Sequence, residues 1–295
     1  MPVNGLLLLN KPSGLTSNRA LQKVKRLFKA KKAGHTGSLD PSATGMLPLC
    51  FGEATKVCAY LLDADKTYRV VARLGEATDT GDADGKITAT ADVPPLEAAR
   101  WLEIFKEFTG EILQVPPMYS ALKQDGKRLY ELARQGLEVE RKARKVTIYG
   151  LELIEFHGRR LAFRVRCSKG TYVRTLVEDL AKRAGTIAHT VSLHREAVAG
   201  FDGAEMLDLD ALEALDDTGR NACLLPIDRA LQHWPACRLA AGQSAFFMQG
   251  QPVSTENGEL PGGQLLRAYS ASGNFLGIAE ATGDGRLAPK RVFHL

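Results

Sequence analysis

The chain has 295 residues, of which 44% are apolar and 25% charged, and its formal net charge is +5. At about 150 residues per domain this length predicts two domains, and the composition excludes disordered, collagen-like and coiled-coil proteins. No apolar run reaches the roughly 18 residues of a membrane span. The early run at 6–9 lacks the basic flank of a signal peptide, and the five scattered cysteines contain no C-x-x-C pair. That argues against a disulfide framework and a structural zinc site, so a cytoplasmic protein with reduced thiols is expected.

Residues 6–9 read as a short buried strand, closed by the turn signal at 11–14. Ser17 is the expected N-cap of a helix whose Ala20, Leu21, Val24, Leu27 and Phe28 share one face, with basic residues opposite. Residues 34–52 follow no period and are broken by four glycines and two prolines. They also carry Leu39, Met46, Leu47, Leu49 and Phe51, so they read as a long, ordered, functional loop anchored to the core. Residues 66–75 alternate as a half-buried strand, with Tyr68, Val70, Ala72 and Leu74 on one face. An acidic turn at 78–85, a helix over 95–108, an extended segment at 114–117 and a short helix over 125–135 follow.

Two strands are expected at 146–155 and 161–168. A helix then carries Val173, Leu176, Val177, Leu180, Ala181 and Ala184 on one stripe, stopped by Gly185. A strand at 190–194 and an acidic helical region come next. From about 233, short strands cut by glycine and proline predict a small β domain.

The charge is uneven. Residues 1–39 hold eight lysines and arginines and no acid, residues 157–183 carry +6, and residues 203–232 carry −5. A polyanion could use the basic surface of the first 202 residues, because each phosphate neutralised releases counterions.

Familiar cofactor and metal motifs are missing from the sequence: no P-loop, no G-x-G-x-x-G, no zinc-helix histidine pair and no G-x-S-x-G elbow. The turn from Thr80 has Ala91 where a calcium loop needs its bidentate glutamate. Neither metal nor cofactor is expected. What remains is Gly34-His35-Thr36-Gly37-Ser38-Leu39-Asp40-Pro41-Ser42-Ala43-Thr44-Gly45. By itself, Asp40 before Pro41 is a common turn signal.

The whole stretch resembles the active-site loop of the TruB family of tRNA pseudouridine synthases. Four further blocks stand in matching order: residues 10–17, residues 66–82 with Tyr68, residues 114–123, and residues 167–176 with Tyr172 and Arg174. Near Leu193 the match loosens, since His194 and Glu196 stand where the family usually has Arg and Thr, while Leu193 and Arg195 still align.

The resemblance implies an α+β fold. Residues 1–232 would form a pseudouridine synthase catalytic domain, with a mixed, mainly antiparallel central sheet flanked by helices and loops. Residues 233–295 would form a small PUA-like β domain. The implied reaction isomerises uridine-55 in the T arm (TΨC loop) of tRNA to pseudouridine, on a base flipped out of its loop, without metal or cofactor. Asp40 would be the essential carboxylate and Arg174 its cation. Tyr68 would stack on the base and take part in proton transfer. Tyr172 and Leu193 would line the uracil pocket, and His35 would fill the space the base leaves. Lys11 and Pro12 would shape the loop. The C-terminal domain would grip the acceptor end of tRNA, with no membrane and no obligate protein partner implied.

Without the resemblance, Tyr68 reads as a core tyrosine, Arg174 as a phosphate contact or surface arginine, and His35 as unremarkable. A non-catalytic tRNA-binding or tRNA-folding protein on the same scaffold is the main alternative. Such a module has no need for a carboxylate facing a polyanion. A third reading, the catalytic subunit of a guide-RNA particle, predicts long basic terminal extensions.

Overall fold

The computed structural model describes residues 2–124, 126–254 and 260–295. The first elements are β1 (Gly5–Lys11), α1 (Ser17–Leu27), β2 (Ala33–His35), β3 (Thr44–Phe51), α2 (Cys58–Leu62), β4 (Lys66–Leu74), β5 (Glu76–Thr78) and β6 (Ile87–Thr90). Next come α3 (Ala98–Phe108), β7 (Gly110–Gln114), β8 (Lys123–Gln124), β9 (Lys127–Arg128), α4 (Leu129–Ala133), β10 (Arg144–His157) and β11 (Arg160–Cys167). They are followed by α5 (Val173–Arg183), β12 (Ala188–Val198), β13 (Leu207–Asp208), α6 (Leu209–Ala214) and α7 (Asp217–Ala222). The tail holds β14 (Ala236–Leu239), α8 (Ala241–Met248), β15 (Val253–Ser254), β16 (Leu265–Ser270), β17 (Phe275–Ala281) and β18 (Arg286–Val292).

The central sheet runs β13-β1-β3-β12-β4-β11-β10-β7, with β2 added alongside β3. It is mixed and mainly antiparallel, the parallel pairs being β1–β13 and β3–β12. The α+β architecture expected from the sequence is therefore present. On one face of β4, β10 and β11, Val70, Leu161, Phe163 and Val165 pack with Trp101 and Ile104 of α3 and Leu176 and Leu180 of α5. The alternation read in residues 66–74 is the cause: every second side chain points to those two helices.

β1 and β3 are covered on both sides. Leu7, Leu9, Leu47 and Leu49 meet Leu21 and Val24 of α1 and Leu209 and Leu212 of α6. Leu6, Leu8, Met46 and Cys50 on the other face join a cluster that includes Ile278 and Phe293 from the tail. The tail's own sheet runs β14-β16-β17-β18-β15 around Leu239, Phe247, Leu266 and Leu287. Among the described residues, no helix is long and apolar enough to cross a membrane.

Several local expectations are corrected. The cap of α1 is Thr16, whose hydroxyl accepts the Arg19 N–H at 3.1 Å. Ser17 lies one residue inside and buried, exchanging bonds with the Leu39 backbone (Oγ to Leu39 O 3.1 Å, Leu39 N to Oγ 2.8 Å). Half of the expected loop at 34–52 is strand β3. A strand buried on both faces shows a continuous apolar run and no alternation, which hides it from a periodicity reading. The tail contains α8 as well as strands. The short helix expected over 125–135 spans Leu129–Ala133, and Asp125 lies outside the described residues, as do 255–259 of the tail.

Candidate active site

The loop carrying Asp40 connects β2 to β3, and buried cations hold it from below. Lys11, at the end of β1, is fully buried, and its ammonium donates to the carbonyls of Pro12 (2.8 Å), Leu15 (2.7 Å) and Pro41 (3.2 Å). Burial pushes its pKa down to about 8, against the pull of the Asp40 charge. Arg195 of β12 donates from Nε to the Met46 carbonyl at 2.6 Å and from Nη2 to the Gly37 carbonyl at 2.9 Å. β12 passes so close to β3 that a Cβ on Gly45 would stand 2.3 Å from the Arg195 carbonyl oxygen. Gly45 also has φ +99°, so only glycine suits the crossing.

Arg174 joins the loop to the rest of the site. It is the second residue of α5, and its side chain is only 7% exposed. Its Nε lies 3.1 Å from Asp40 Oδ2, and Nη1 lies 3.6 Å from Asp82 Oδ2. Nη1 also donates to the Thr80 carbonyl and Nη2 to the Tyr119 carbonyl, both at 2.7 Å. One guanidinium thus ties together the Asp40 loop, the acidic turn after β5 and the segment after β7.

Asp40 keeps 41% of its side chain exposed, toward a cavity of 930 Å³ that is also lined by His35, Leu39, Asp82, Tyr119 and Arg174. Burial raises the pKa of the carboxyl above the ordinary aspartate value, the Arg174 guanidinium opposes that rise, and Asp82 and Asp84 add to it. Because the carboxylate is open on one side and paired on the other, it is both accessible and held in place.

The other expected site residues fall around this pair. His35 ends β2 and lines the cavity, and its Nδ1 is buried without a hydrogen-bond partner. Burial and the nearby Arg195 charge lower its pKa. Tyr68 is half-buried on β4, opposite Arg195 of β12, and packs with Leu193 against the α3–α5 core. Its pKa is raised by burial, with the Arg195 charge pulling it back and the Asp40 charge adding to the rise. Tyr172 caps α5: its N–H donates to Gln114 Oε1 at 2.7 Å, and its carbonyl accepts from Gln114 Nε2 at 3.1 Å. Burial raises the Tyr172 hydroxyl, Ser120 lowers it, and Asp40 again raises it. Tyr68, Tyr172 and Leu193 do not line the 930 Å³ cavity.

Sequence reasoning gave no role to Asp82, Tyr119 or Arg195. The acidic turn contained the first, and the block at 114–123 the second. Arg195 aligns with the family's pattern, but its burial was hidden because β12 bulges between Arg195 and Ala197, so no simple alternation marks its side chain as buried. Among the described residues, no group of three or more His, Cys, Asp or Glu side chains could hold a metal ion.

Comparison with known proteins agrees over nearly the whole chain. Residues 25–173 match the model of the TruB family pseudouridylate synthase N-terminal domain. Residues 174–232 match the tRNA pseudouridylate synthase B C-terminal domain, and residues 235–293 the pseudouridine synthase II TruB C-terminal model. The tRNA pseudouridine synthase B of Chromohalobacter salexigens is 49% identical over 293 residues, 99% of this chain and 95% of the relative. That of Neisseria meningitidis serogroup B is 51% identical over 278 residues, covering 94% and 90%. A crystal structure of a Cbf5-Nop10-Gar1 complex superposes with a TM-score of 0.75 at 25% identity, over 99% of this chain and 85% of that one. With the loop, its buried supports and these relatives in agreement, the chain belongs to the TruB family of pseudouridine synthases.

Proposed function

We propose that this chain is a tRNA pseudouridine synthase that isomerises uridine-55 in the T arm, with Asp40 as its catalytic residue. The reaction breaks the N1–C1′ bond, turns the uracil and joins it again through C5, so no external group is consumed. One observation carries the reading. The Asp40 carboxylate faces an open cavity while Arg174, 3.1 Å away, offsets the cost of burying its charge. A module that only binds RNA gains nothing from a carboxylate held in this position.

The remaining roles are those the family resemblance implies. His35, on the cavity wall with an unpaired ring nitrogen, stacks against the loop from which the base is extruded. Tyr68 stacks on the uracil and relays a proton, while Leu193 and Tyr172 close the pocket behind it. Residues 1–232 act as the catalytic unit and residues 233–295 as an RNA-binding unit on the acceptor end, with the work done in the cytoplasm.

The test is tritium release from C5-labelled uridine in a T-arm transcript. The wild-type chain should release it, and Asp40→Asn should be slower by on the order of 10,000-fold while binding the transcript as tightly, because the change removes charge and keeps shape. Turnover by a purified, undeamidated Asp40→Asn protein at a rate comparable to wild type would refute the assignment.

A further inference from the structure

Arg195 is 1% exposed, and its guanidinium has no carboxylate in salt-bridge contact among the described residues. An arginine cannot shed its proton, so it is a permanent buried charge. Such a charge is costly unless fixed dipoles surround it. Its bonds run to two carbonyl oxygens, of Gly37 and Met46, which lie three residues before Asp40 and six after it. The same residue stands directly opposite Tyr68 in the β4–β12 pairing. Lys66, also buried, spends its ammonium on the Leu62 and Ala64 carbonyls instead. Arg195 is therefore the group that joins both ends of the Asp40 loop to the strand carrying Tyr68.

We propose that Arg195 is a positioning residue for the isomerisation: its guanidinium fork sets the distance between the Asp40 loop and Tyr68. This rests on the function proposed above. Lysine in its place keeps the charge, but a single ammonium cannot span the Gly37 and Met46 carbonyls with the fork's geometry and so cannot fix the loop against the strand opposite Tyr68. The loop then shifts against the tyrosine without losing its RNA-facing surface. A displacement of about 1 Å at a reacting pair costs on the order of 100-fold in rate.

The experiment uses the full chain and a T-arm hairpin. It compares wild type, Arg195→Lys and Phe201→Leu, the last a core change among the residues packed beside Val198 and Ile227. Thermal midpoint, hairpin dissociation constant and single-turnover rate are measured for each. Arg195→Lys should bind within about threefold of wild type and turn over about 100-fold more slowly. Phe201→Leu should lose stability and keep its rate. Three results overturn the proposal: a rate for Arg195→Lys within about fivefold of wild type, a rate loss matched by an equal binding loss, or an equal rate loss in Phe201→Leu. An Arg195→Lys chain too unstable to purify is replaced by Arg195→Gln, judged by the same criteria. If the wild-type chain itself does not isomerise the hairpin, the proposed function fails; if only the Arg195 variants are indifferent, this inference alone fails.

Discussion

Asp40 and its cation make the first pH prediction. On the proposed function the carboxylate is the reactive form, so the rate should fall as pH drops through its pKa, which burial places above the ordinary 3.8. Arg174 is the largest influence opposing that rise. Arg174→Gln should therefore move the acid limb of the single-turnover pH profile to higher pH, besides slowing the plateau. A limb that stays in place would show that the guanidinium holds the loop without affecting the Asp40 charge. Lys66 gives a second prediction, on stability. Burial lowers its pKa from 10.5 to about 8. Between those values the unfolded chain binds the extra proton and the folded chain does not, so Lys66 makes stability rise with pH across that window. The stability of wild type relative to Lys66→Met should increase from pH 8 to 10.5, read by urea unfolding. A constant difference would mean that Lys66 titrates alike in both states. Lys11 and Asp40 show how far residues could be read: the resemblance to the family's motifs singled them out, whereas local pattern alone read Asp40 as a turn residue. The closeness of Arg174 to Asp40 depends on a pairing 134 positions apart in the chain, which local spacing cannot display.

The elements differ in legibility for physical reasons. β4 faces a core on one side only, and its period of two was plain in the sequence. β3 is buried on both faces and carries Pro48 and Gly45, so it read as a loop. Its neighbour α1 read well, since its buried Ala20, Leu21 and Val24 oppose a basic face. Beyond the end of α1, Lys29, Lys31 and Lys32 line a 720 Å³ cavity together with Arg220. Lys29 already has a partner, Asp217, at 2.5 Å, with both side chains well exposed. Such an exposed pair holds weakly and yields to a phosphate. Replacing Lys31 and Lys32 with glutamine should flatten the log–log salt dependence of tRNA binding by about 0.9 for each duplex phosphate that is no longer neutralised. Adding Lys29→Gln should change it less, because part of its charge is already neutralised. An unchanged slope in the triple variant would place this end of α1 in solvent within the complex.

At the scale of the molecule, chain length predicted two units, and the sign change of the charge before 233 suggested a boundary there. What composition could not display is how the units share a core. Ile278 and Phe293 pack in one cluster with Leu6, Leu8, Met46 and Phe201. Lys56 donates to the Val292 carbonyl at 2.7 Å, and the His294 N–H donates to Glu53 at 3.0 Å. Deleting 233–295 would bare an apolar face of β1 and β3, at roughly 25 cal/mol for each Å² exposed. The truncated chain should therefore melt at a lower temperature, yet retain the Asp40–Arg174 pair, whose supports all lie before 200. Below its melting temperature it should still modify a T-arm hairpin at a single-turnover rate close to wild type. On full-length tRNA it should bind more weakly, while its rate at saturating enzyme changes little, because on the proposed function the tail meets the acceptor end and not the reacting base. A gentler variant separates the two effects: Ile278→Ala loosens the shared core and leaves the tail's surface in place, so it should lower the melting temperature without weakening tRNA binding. If the truncated chain loses hairpin and full-length tRNA activity equally at a temperature where it is folded, the tail supports the catalytic geometry itself, and the division at 232 is wrong.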